Sequence, residues 1–218
     1  MAVTAMQIID SATGALQDAT NTRWDRDLLL SYLNDGLLEV LIYRPDASTS
    51  VQDLALSAGW LQSLPAGAVR LLDVKANTNG RACKLTKRDS LDDQRPDWRA
   101  DDASTTIKAW VYDERDAKRF EVWPPAAASG ASLKVVLTVP PTPLTNESAT
   151  VPYDDIYRGP LMSYVLHRAC LRDSEDAAMA AQAGAYYSLM VQQLTGKTSA
   201  DLNMAPSKAA SQRKDVTA

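Results

Sequence analysis

Apolar side chains recur at helical spacing over the first 46 residues. Between Thr4 and about Asp18, one face of a helix collects Met6, Ile9, Thr13 and Leu16. A second, wider apolar face runs through residues 28–41, and the Arg44-Pro45 step ends it, because a residue before proline avoids the helical region. The pattern predicts an N-terminal helix pair over residues 1–46.

Two local signals refine this helix pair. Thr22, with Asp25 three residues later, has the spacing of a capping box, so Thr22 is expected to cap the second helix. Gly14 interrupts the first helix, where glycine costs about 1 kcal/mol relative to alanine. We interpret Gly14 as a point of close helix contact.

The apolar period changes from 3.6 to 2 between residues 47 and 145, which is typical of strands. Strands are expected at residues 51–56, 69–76, 107–112, 120–123 and 133–139. The turn residues Asn77–Gly80 predict that residues 81–86 return beside 69–76 as the second arm of a hairpin. This segment is therefore expected to be a small antiparallel β-sandwich or barrel inserted into the chain.

Helical spacing returns over residues 146–196. Asp154 and Asp155 favour a helix start, Asp173-Ser174 breaks the pattern, and an alanine-rich helix follows until Gly196. Four helices that flank a β insertion predict an α+β protein. We expect the N-terminal and C-terminal helix pairs to form one four-helix bundle that carries the β domain.

Residues 197–218 differ in composition from the rest of the chain. They contain few large apolar side chains and more basic than acidic residues, so they cannot bury enough surface alone to offset the entropy of ordering. Two interpretations remain open, a frayed terminus or an extended arm that orders on a partner. The arm hypothesis assigns apolar and charged contacts to Leu202, Met204, Lys208, Arg213 and Lys214.

Composition narrows the class of protein. The chain has 218 residues, 45% of them hydrophobic, and a formal net charge of −4, which disfavours a protein whose main partner is nucleic acid. It contains neither an apolar run long enough to span a membrane nor a signal peptide, so we expect a cytoplasmic origin. Cys83 and Cys170 are too few for a disulfide framework or a structural zinc site. No metal or cofactor is expected.

Candidate catalytic chemistry is sparse. The single histidine, His167, lies three residues before Cys170, which allows a nucleophile–base pair on one helix face and hence a small hydrolase. The alternative is that Cys170 is a core residue. There is no glycine-rich phosphate loop. An acidic run could suggest calcium but lacks the ligand spacing of a dedicated loop, so a solvated acidic loop is favoured; its members are Asp89, Asp92, Asp93, Asp97, Asp101 and Asp102.

Four tryptophans follow the N-terminal helices. Trp110 and Trp123 fall in predicted strands and are expected in the β core. Trp60 and Trp98 fall in predicted loops, where they are either interface anchors or plugs at the ends of the core. Exposed tryptophans beside polar groups would also suit carbohydrate recognition.

A series of short motifs, in order along nearly the whole chain, resembles the head-to-tail adaptor (connector) proteins of tailed bacteriophages. These motifs are Trp24, Leu33-Asn34-Asp35-Gly36, Arg44-Pro45-Asp46-Ala47, Gly59–Pro65, Val69–Val74, Arg95-Pro96-Asp97-Trp98, Tyr112, Phe120–Pro125 and Tyr153–Tyr157. The resemblance implies a virion protein without enzymatic activity. It also implies a homo-oligomeric ring, of twelve copies, beneath the portal.

The same resemblance implies the partners. They are the portal protein, which the C-terminal arm would contact, neighbouring copies in the ring, and a downstream tail or nozzle protein. DNA would pass through the channel without specific binding, which suits an acidic protein. The expected location is the head–tail junction of the virion, after assembly in the cytoplasm of the bacterial host. The alternative is a tail-completion or tube-end ring protein of the phage tail.

Overall fold

The computed structural model describes residues 2–172 and 175–204, with side chains as far as Gly196. The protein is a mixed α+β chain that divides into two compact units. One unit contains the residues up to Ala47 together with those from Pro141 onward, and the other is Ser48–Pro140. The described residues form five α-helices: α1 (Ala5–Ala15), α2 (Arg26–Tyr43), α3 (Arg88–Gln94), α4 (Arg158–Arg172) and α5 (Ala177–Met204).

Helices from both ends of the chain share one apolar core. Helix α4 packs against α1, α2 and α5, and buried side chains from each of the four helices form a single cluster. Trp24 joins this cluster and donates its indole N–H to the carbonyl of Ala169 at 3.2 Å. The largest fully buried members from the helices are Ile8, Ile9, Leu29, Leu33, Leu37 and Leu161.

Details of the first two helices differ from the sequence prediction. Met6 is exposed, and Ile8 is buried beside Ile9, so the apolar stripe of α1 is rotated from the one expected. The cap of α2 is Asp25, whose carboxylate accepts the backbone N–H of Asp27 at 3.2 Å. The hydroxyl of Thr22, the expected cap, instead forms a hydrogen bond with the hydroxyl of Thr20.

The close helix contact occurs at Gly36 and not at Gly14. A Cβ at Gly14 would have no heavy atom within 4 Å. A Cβ at Gly36 would lie 3.0 Å from the Tyr164 ring, which shows how closely α4 approaches α2. The interpretation of Gly14 was therefore wrong, because residues far from α1 in sequence determine which glycine is crowded.

Seven strands form two sheets in the second unit. The strands are β1 (Thr49–Ala55), β2 (Gly59–Ser63), β3 (Arg70–Asn77), β4 (Lys84–Leu85), β5 (Ala109–Tyr112), β6 (Arg119–Ala126) and β7 (Ser132–Thr138). One sheet has the order β1-β7-β3 and the other β2-β6-β5-β4. One apolar cluster takes buried side chains from both sheets, among them Leu71, Trp110, Phe120 and Leu133.

The predicted hairpin of residues 69–86 does not form. Strand β4 pairs in parallel with β5, through Lys84 opposite Ala109. The buried side chain of Asn77 explains this pairing, because its amide donates to Ile107 O at 2.7 Å and accepts Ile107 N–H at 2.8 Å. These two hydrogen bonds bring the start of β5 to the end of β3. Strand β4, which follows β3 in the chain, therefore lies beside β5 and pairs with it.

Two further elements were missed. Trp60 lies on strand β2 and not in a loop, and the acidic run is partly helical in α3. Helix α5 also continues past Gly196 to Met204. Gly196 lacks the positive φ of a helix C-cap, so it does not stop the helix. The predicted break at Asp173-Ser174 lies outside the described residues.

Candidate functional site

The predicted C-terminal arm is divided by the end of the described structure. Leu202 and Met204 lie on the last turns of α5, so the prediction of an extended segment from residue 197 is wrong as far as Met204. The helix continues because nothing in its backbone caps it earlier. Lys208, Arg213 and Lys214 lie outside the described residues.

The outer face of α5 has an unusual composition. No charged residue occurs between Ala177 and Gly196, although most of these positions are exposed. Only Ala183, Met190 and Leu194 are buried among them. Solvated helix faces normally carry charged side chains, so an exposed face without charge is suited to contact with another protein surface. The sequence showed this helix to be alanine-rich, but which of its residues are exposed depends on how it packs.

Hydrogen bonds fix α5 against α2 and α4. Tyr187 donates to Glu39 Oε1 at 2.8 Å, and its hydroxyl lies 3.1 Å from that of Tyr43. These two bonds, that of Tyr43 first, raise the pKa of the Tyr187 phenol above its ordinary value. His167 Nδ1 lies 2.8 Å from the carbonyl oxygen of Ala183, and the His167 ring packs against Tyr187. The position of the uncharged face is therefore set by the helical core.

A second polar connection joins α4 to α2. Arg168 Nη1 donates to Asp35 Oδ2 at 2.8 Å and to the Tyr164 hydroxyl at 3.2 Å. The hydrogen bond to Tyr164 and the charge of Asp35 raise the pKa of Arg168 above its ordinary value, and they outweigh burial, which lowers it. The guanidinium also lies over the Tyr32 ring at 4.9 Å. Arg168 therefore remains charged and orders the α2–α4 contact.

An aliphatic surface is exposed on α2. Leu38 and Ile42 lie one helical turn apart and are 51% and 71% exposed. Leu38 also lines a cavity of about 240 Å³, together with Asn34, Pro141 and Pro143. An exposed aliphatic pair on a helix that is otherwise a core element is a candidate contact surface.

A layer of tryptophan and arginine covers the outer face of the four-stranded sheet. Trp98 is 0% exposed and packs edge-on against Trp60, with ring centroids 6.2 Å apart. Arg99 lies over both rings, 4.3 Å from Trp98 and 5.3 Å from Trp60. Burial excludes Trp98 as an exposed anchor or a sugar-stacking ring, so for this residue the structure favours the buried alternative over the interface. Trp60 is half-buried on β2.

Two members of the acidic run bind tryptophan side chains. Asp92 Oδ1 accepts the indole N–H of Trp98 at 2.7 Å, and Asp101 Oδ2 accepts that of Trp123 at 2.7 Å. Each carboxylate also accepts a hydrogen bond from an arginine, Asp92 from Arg99 and Asp101 from Arg95. The indole bond, helped by the arginine, lowers the pKa of each carboxyl. The acidic run is therefore partly structural and not only a solvated loop.

Glu121 is the central acid of this layer. It projects from β6 with its side chain largely buried and accepts Arg88 Nη2 at 3.0 Å. Arg99 approaches the same carboxylate at 3.8 Å. The hydrogen bond to Glu121, supported by the charges of Asp113 and Asp92, raises the pKa of Arg88. These ion pairs hold α3 and the Trp98 segment on the sheet.

The candidate nucleophile is not open to a substrate. Cys170 is 1% exposed within the helical core, and His167 directs Nδ1 to the Ala183 carbonyl. Within residues 2–172 and 175–196, no group of three or more His, Cys, Asp or Glu side chains is arranged to bind a metal. No described helix combines the length and apolar character needed to cross a bilayer.

The described residues thus provide candidate contact surfaces and structural ion pairs. The chain matches the SU10 adaptor protein family over residues 3–211 and belongs to it. This family is one of structural phage adaptors, as the resemblance of the sequence motifs indicated. No curated protein matches the chain significantly.

Proposed function

We propose that this protein is the structural head-to-tail adaptor of a tailed bacteriophage, forming a ring beneath the portal and joining it to the tail. The match to the adaptor family over residues 3–211 is the observation that carries the proposal. The protein acts through its contacts and catalyses no reaction. Its place is the head–tail junction of the virion, and it is made and assembled in the bacterial cytoplasm.

Ring formation needs two different faces of each subunit that fit one another. The uncharged face of α5 and the aliphatic pair Leu38 and Ile42 on α2 are the described surfaces of the helical unit that suit such contacts. Trp60, half-buried on β2, is the corresponding candidate in the second unit. Twelve copies per ring follow from the family resemblance.

The C-terminal arm provides the contact with the portal. The backbone of α5 continues ten residues beyond Leu194, its last described buried residue, which is about 15 Å of helix. Leu202 and Met204 serve as apolar contacts on this extension. Lys208, Arg213 and Lys214 add positive charge in the sequence that follows.

The remaining partners are the tail and the DNA. The ring binds a downstream tail or nozzle protein on the side away from the portal. DNA passes through the channel without specific binding, because a protein with a net charge of −4 offers phosphate little attraction.

Electron microscopy of the full chain mixed with its cognate portal tests the ring. The expected image is a second ring stacked coaxially on the portal. Particles that show the portal alone at saturating adaptor, while the same adaptor binds purified tail protein, would establish the tail-completion alternative.

Removal of Lys197–Ala218 tests the arm. The shortened protein is expected to keep its fold but lose co-sedimentation with the portal. Two charge variants refine the test: Arg213→Ala with Lys214→Ala should weaken portal binding. Arg81→Ala with Arg115→Ala removes the same charge from two exposed side chains of the second unit and should leave binding unchanged. Undiminished co-sedimentation of the shortened chain would reject the arm.

A further inference from the structure

The edge of the three-stranded sheet is open at β1. Strand β1 pairs with β7 alone, in one unbroken antiparallel register from Thr49 to Ala55. The bonds from Leu56 N–H to Ala131 O and from Val139 N–H to Ser48 O show that even-numbered residues face β7. In an antiparallel ladder the backbone N–H and C=O groups of successive residues point alternately toward and away from the paired strand. The odd-numbered residues of β1 therefore direct these groups away from the sheet.

These outward groups have no partner in the described part of the chain. The residues are Thr49, Val51, Asp53 and Ala55. All four side chains are also exposed, and Val51 is 60% exposed. The edge therefore offers four N–H donors, four C=O acceptors and a β-branched apolar side chain to an incoming strand.

The other sheet edges are protected. Strand β3 carries two register shifts, and β2 carries one. Strand β4 is two residues long. Bulges and short strands are common means of preventing edge-to-edge pairing, and β1 has neither. Edge charges are another means, but the one charged residue of β1, Asp53, is paired with Lys134. A regular seven-residue edge that lacks such protection indicates a strand that pairs in an assembly.

We propose that β1 pairs with β1 of a second copy of this chain, antiparallel, around a two-fold axis at Val51. In this register Val51 lies opposite Val51, and Thr49 lies opposite Asp53. Every outward N–H and C=O from Thr49 to Asp53 gains a partner. The two sheets become one six-stranded sheet, and the exposed valines form the cross-strand pair at its centre.

The side chain of Asp53 favours this register over its neighbours. Asp53 is already neutralised by Lys134 of β7, whose Nζ lies 2.8 Å from Asp53 Oδ1. Opposite Thr49 of the second copy, Asp53 meets a hydroxyl that can donate to it. A shift by two residues would place each Asp53 opposite Val51 or Ala47, depending on its direction, and the hydrogen bond from Thr49 would be lost.

This pairing goes beyond the proposed ring and does not depend on it. A two-fold contact uses the same surface on both copies and cannot continue around a ring of equivalent subunits. The β1 pair is therefore a form of the protein outside the ring.

Sedimentation velocity of the full chain alone tests the pairing, at concentrations from about 1 µM to 1 mM because a contact through one strand is weak. A monomer–dimer equilibrium is expected. Val51→Lys places a charge at the centre of the edge and should shift the equilibrium to monomer, without loss of the folded circular dichroism spectrum. Leu85→Lys is the matched control, since Leu85 is 65% exposed on β4. This control should dimerise as the parent does.

Cysteine cross-linking tests the register. Directly opposed residues of a hydrogen-bonded pair have Cα atoms about 5.5 Å apart, within reach of a disulfide. Val51→Cys should therefore form a disulfide-linked dimer on mild oxidation. Thr49→Cys on the same edge should not, because two Thr49 residues lie about 13 Å apart along the paired strands.

Three results would overturn the proposal: a monomer throughout the concentration range, equal loss of dimer with Val51→Lys and Leu85→Lys, or cross-linking through Thr49→Cys in preference to Val51→Cys. A monomer whose Val51→Lys variant loses binding to another virion protein would also reject self-pairing and assign the edge to that protein. Neither the sedimentation nor the cross-linking measurement involves the portal, so their outcome is separate from that of the ring.

Discussion

Tyr187 on α5 donates a hydrogen bond to Glu39 on α2 across 2.8 Å. The two residues are 148 positions apart in sequence, and the bond connects the last described helix to the second. It orients the face of α5 that carries no charged residue. The strength of this connection can be measured without knowledge of any partner.

Tyr187→Phe is expected to lower the free energy of unfolding by about 1 kcal/mol, because a hydrogen bond to a carboxylate is lost at a half-buried site. Urea unfolding at neutral pH measures this change. Tyr186→Phe is the matched control, since Tyr186 is similarly half-buried with no hydrogen bond among the described residues. Equal destabilisation by the two variants would show that the Glu39 bond contributes nothing.

Two glycine substitutions on described helices should have opposite effects. Gly36→Ala places a Cβ 3.0 Å from Tyr164 in the α2–α4 contact, so steric conflict should outweigh the gain in helix propensity. Gly184→Ala on α5 meets no heavy atom within 4 Å and should stabilise the protein by up to about 1 kcal/mol. The unfolding temperatures of both variants, compared with that of the parent, show whether each substitution stabilises or destabilises the protein. Stabilisation by Gly36→Ala would mean that the ring of Tyr164 moves aside without cost.

The indole-bound carboxylates should make stability sensitive to acid. The pKa values of Asp92 and Asp101 are lowered in the folded protein, chiefly by the bonds from Trp98 and Trp123. A lowered folded pKa contributes stability above the unfolded value, about 3.9, and this contribution is lost as pH falls through the folded value. The urea midpoint should therefore decrease below about pH 4.

Asparagine variants identify the groups responsible for this acid sensitivity. Asp92→Asn and Asp101→Asn should each reduce the decrease of the urea midpoint in acid. Asp97→Asn should not, because the Asp97 carboxylate has no ion pair or hydrogen bond among the described side chains. If the urea midpoint decreases equally in acid for all three variants and the parent, other carboxylates are responsible for the sensitivity.

The cysteines should resist modification in the folded protein. Burial raises the pKa of the Cys83 thiol to about 12, and Cys170 is buried in the helical core. At pH 8 the reactive thiolate of Cys83 is therefore scarce, and both cysteines are buried residues. Reaction with a thiol reagent should be slow in the native protein. After denaturant is added, two thiols per chain should react. Rapid reaction of one equivalent in the native protein would show that a cysteine is open to solvent.

The sequence by itself determined the features that local pattern controls. Helix α2 was predicted nearly to its ends, since its apolar face is wide and Arg44-Pro45 stops it. Strands β3, β5 and β7 were located within two or three residues, because alternation of apolar side chains is a property of the strand alone. Membership of the adaptor family was likewise visible in short motifs along the chain.

Only the tertiary structure decided which of these elements meet. The pairing of β4 with β5 depends on the buried Asn77 amide, whose partner Ile107 is 30 residues away. Trp98 appeared to lie in a loop, yet it is buried because Asp92 and Arg99 enclose it on a sheet built from other segments. Periodicity reports which side of an element is apolar, whereas its neighbours are set by long-range packing and hydrogen bonds. The open edge of β1 has that origin too, because an edge exists only once the order of the strands is known.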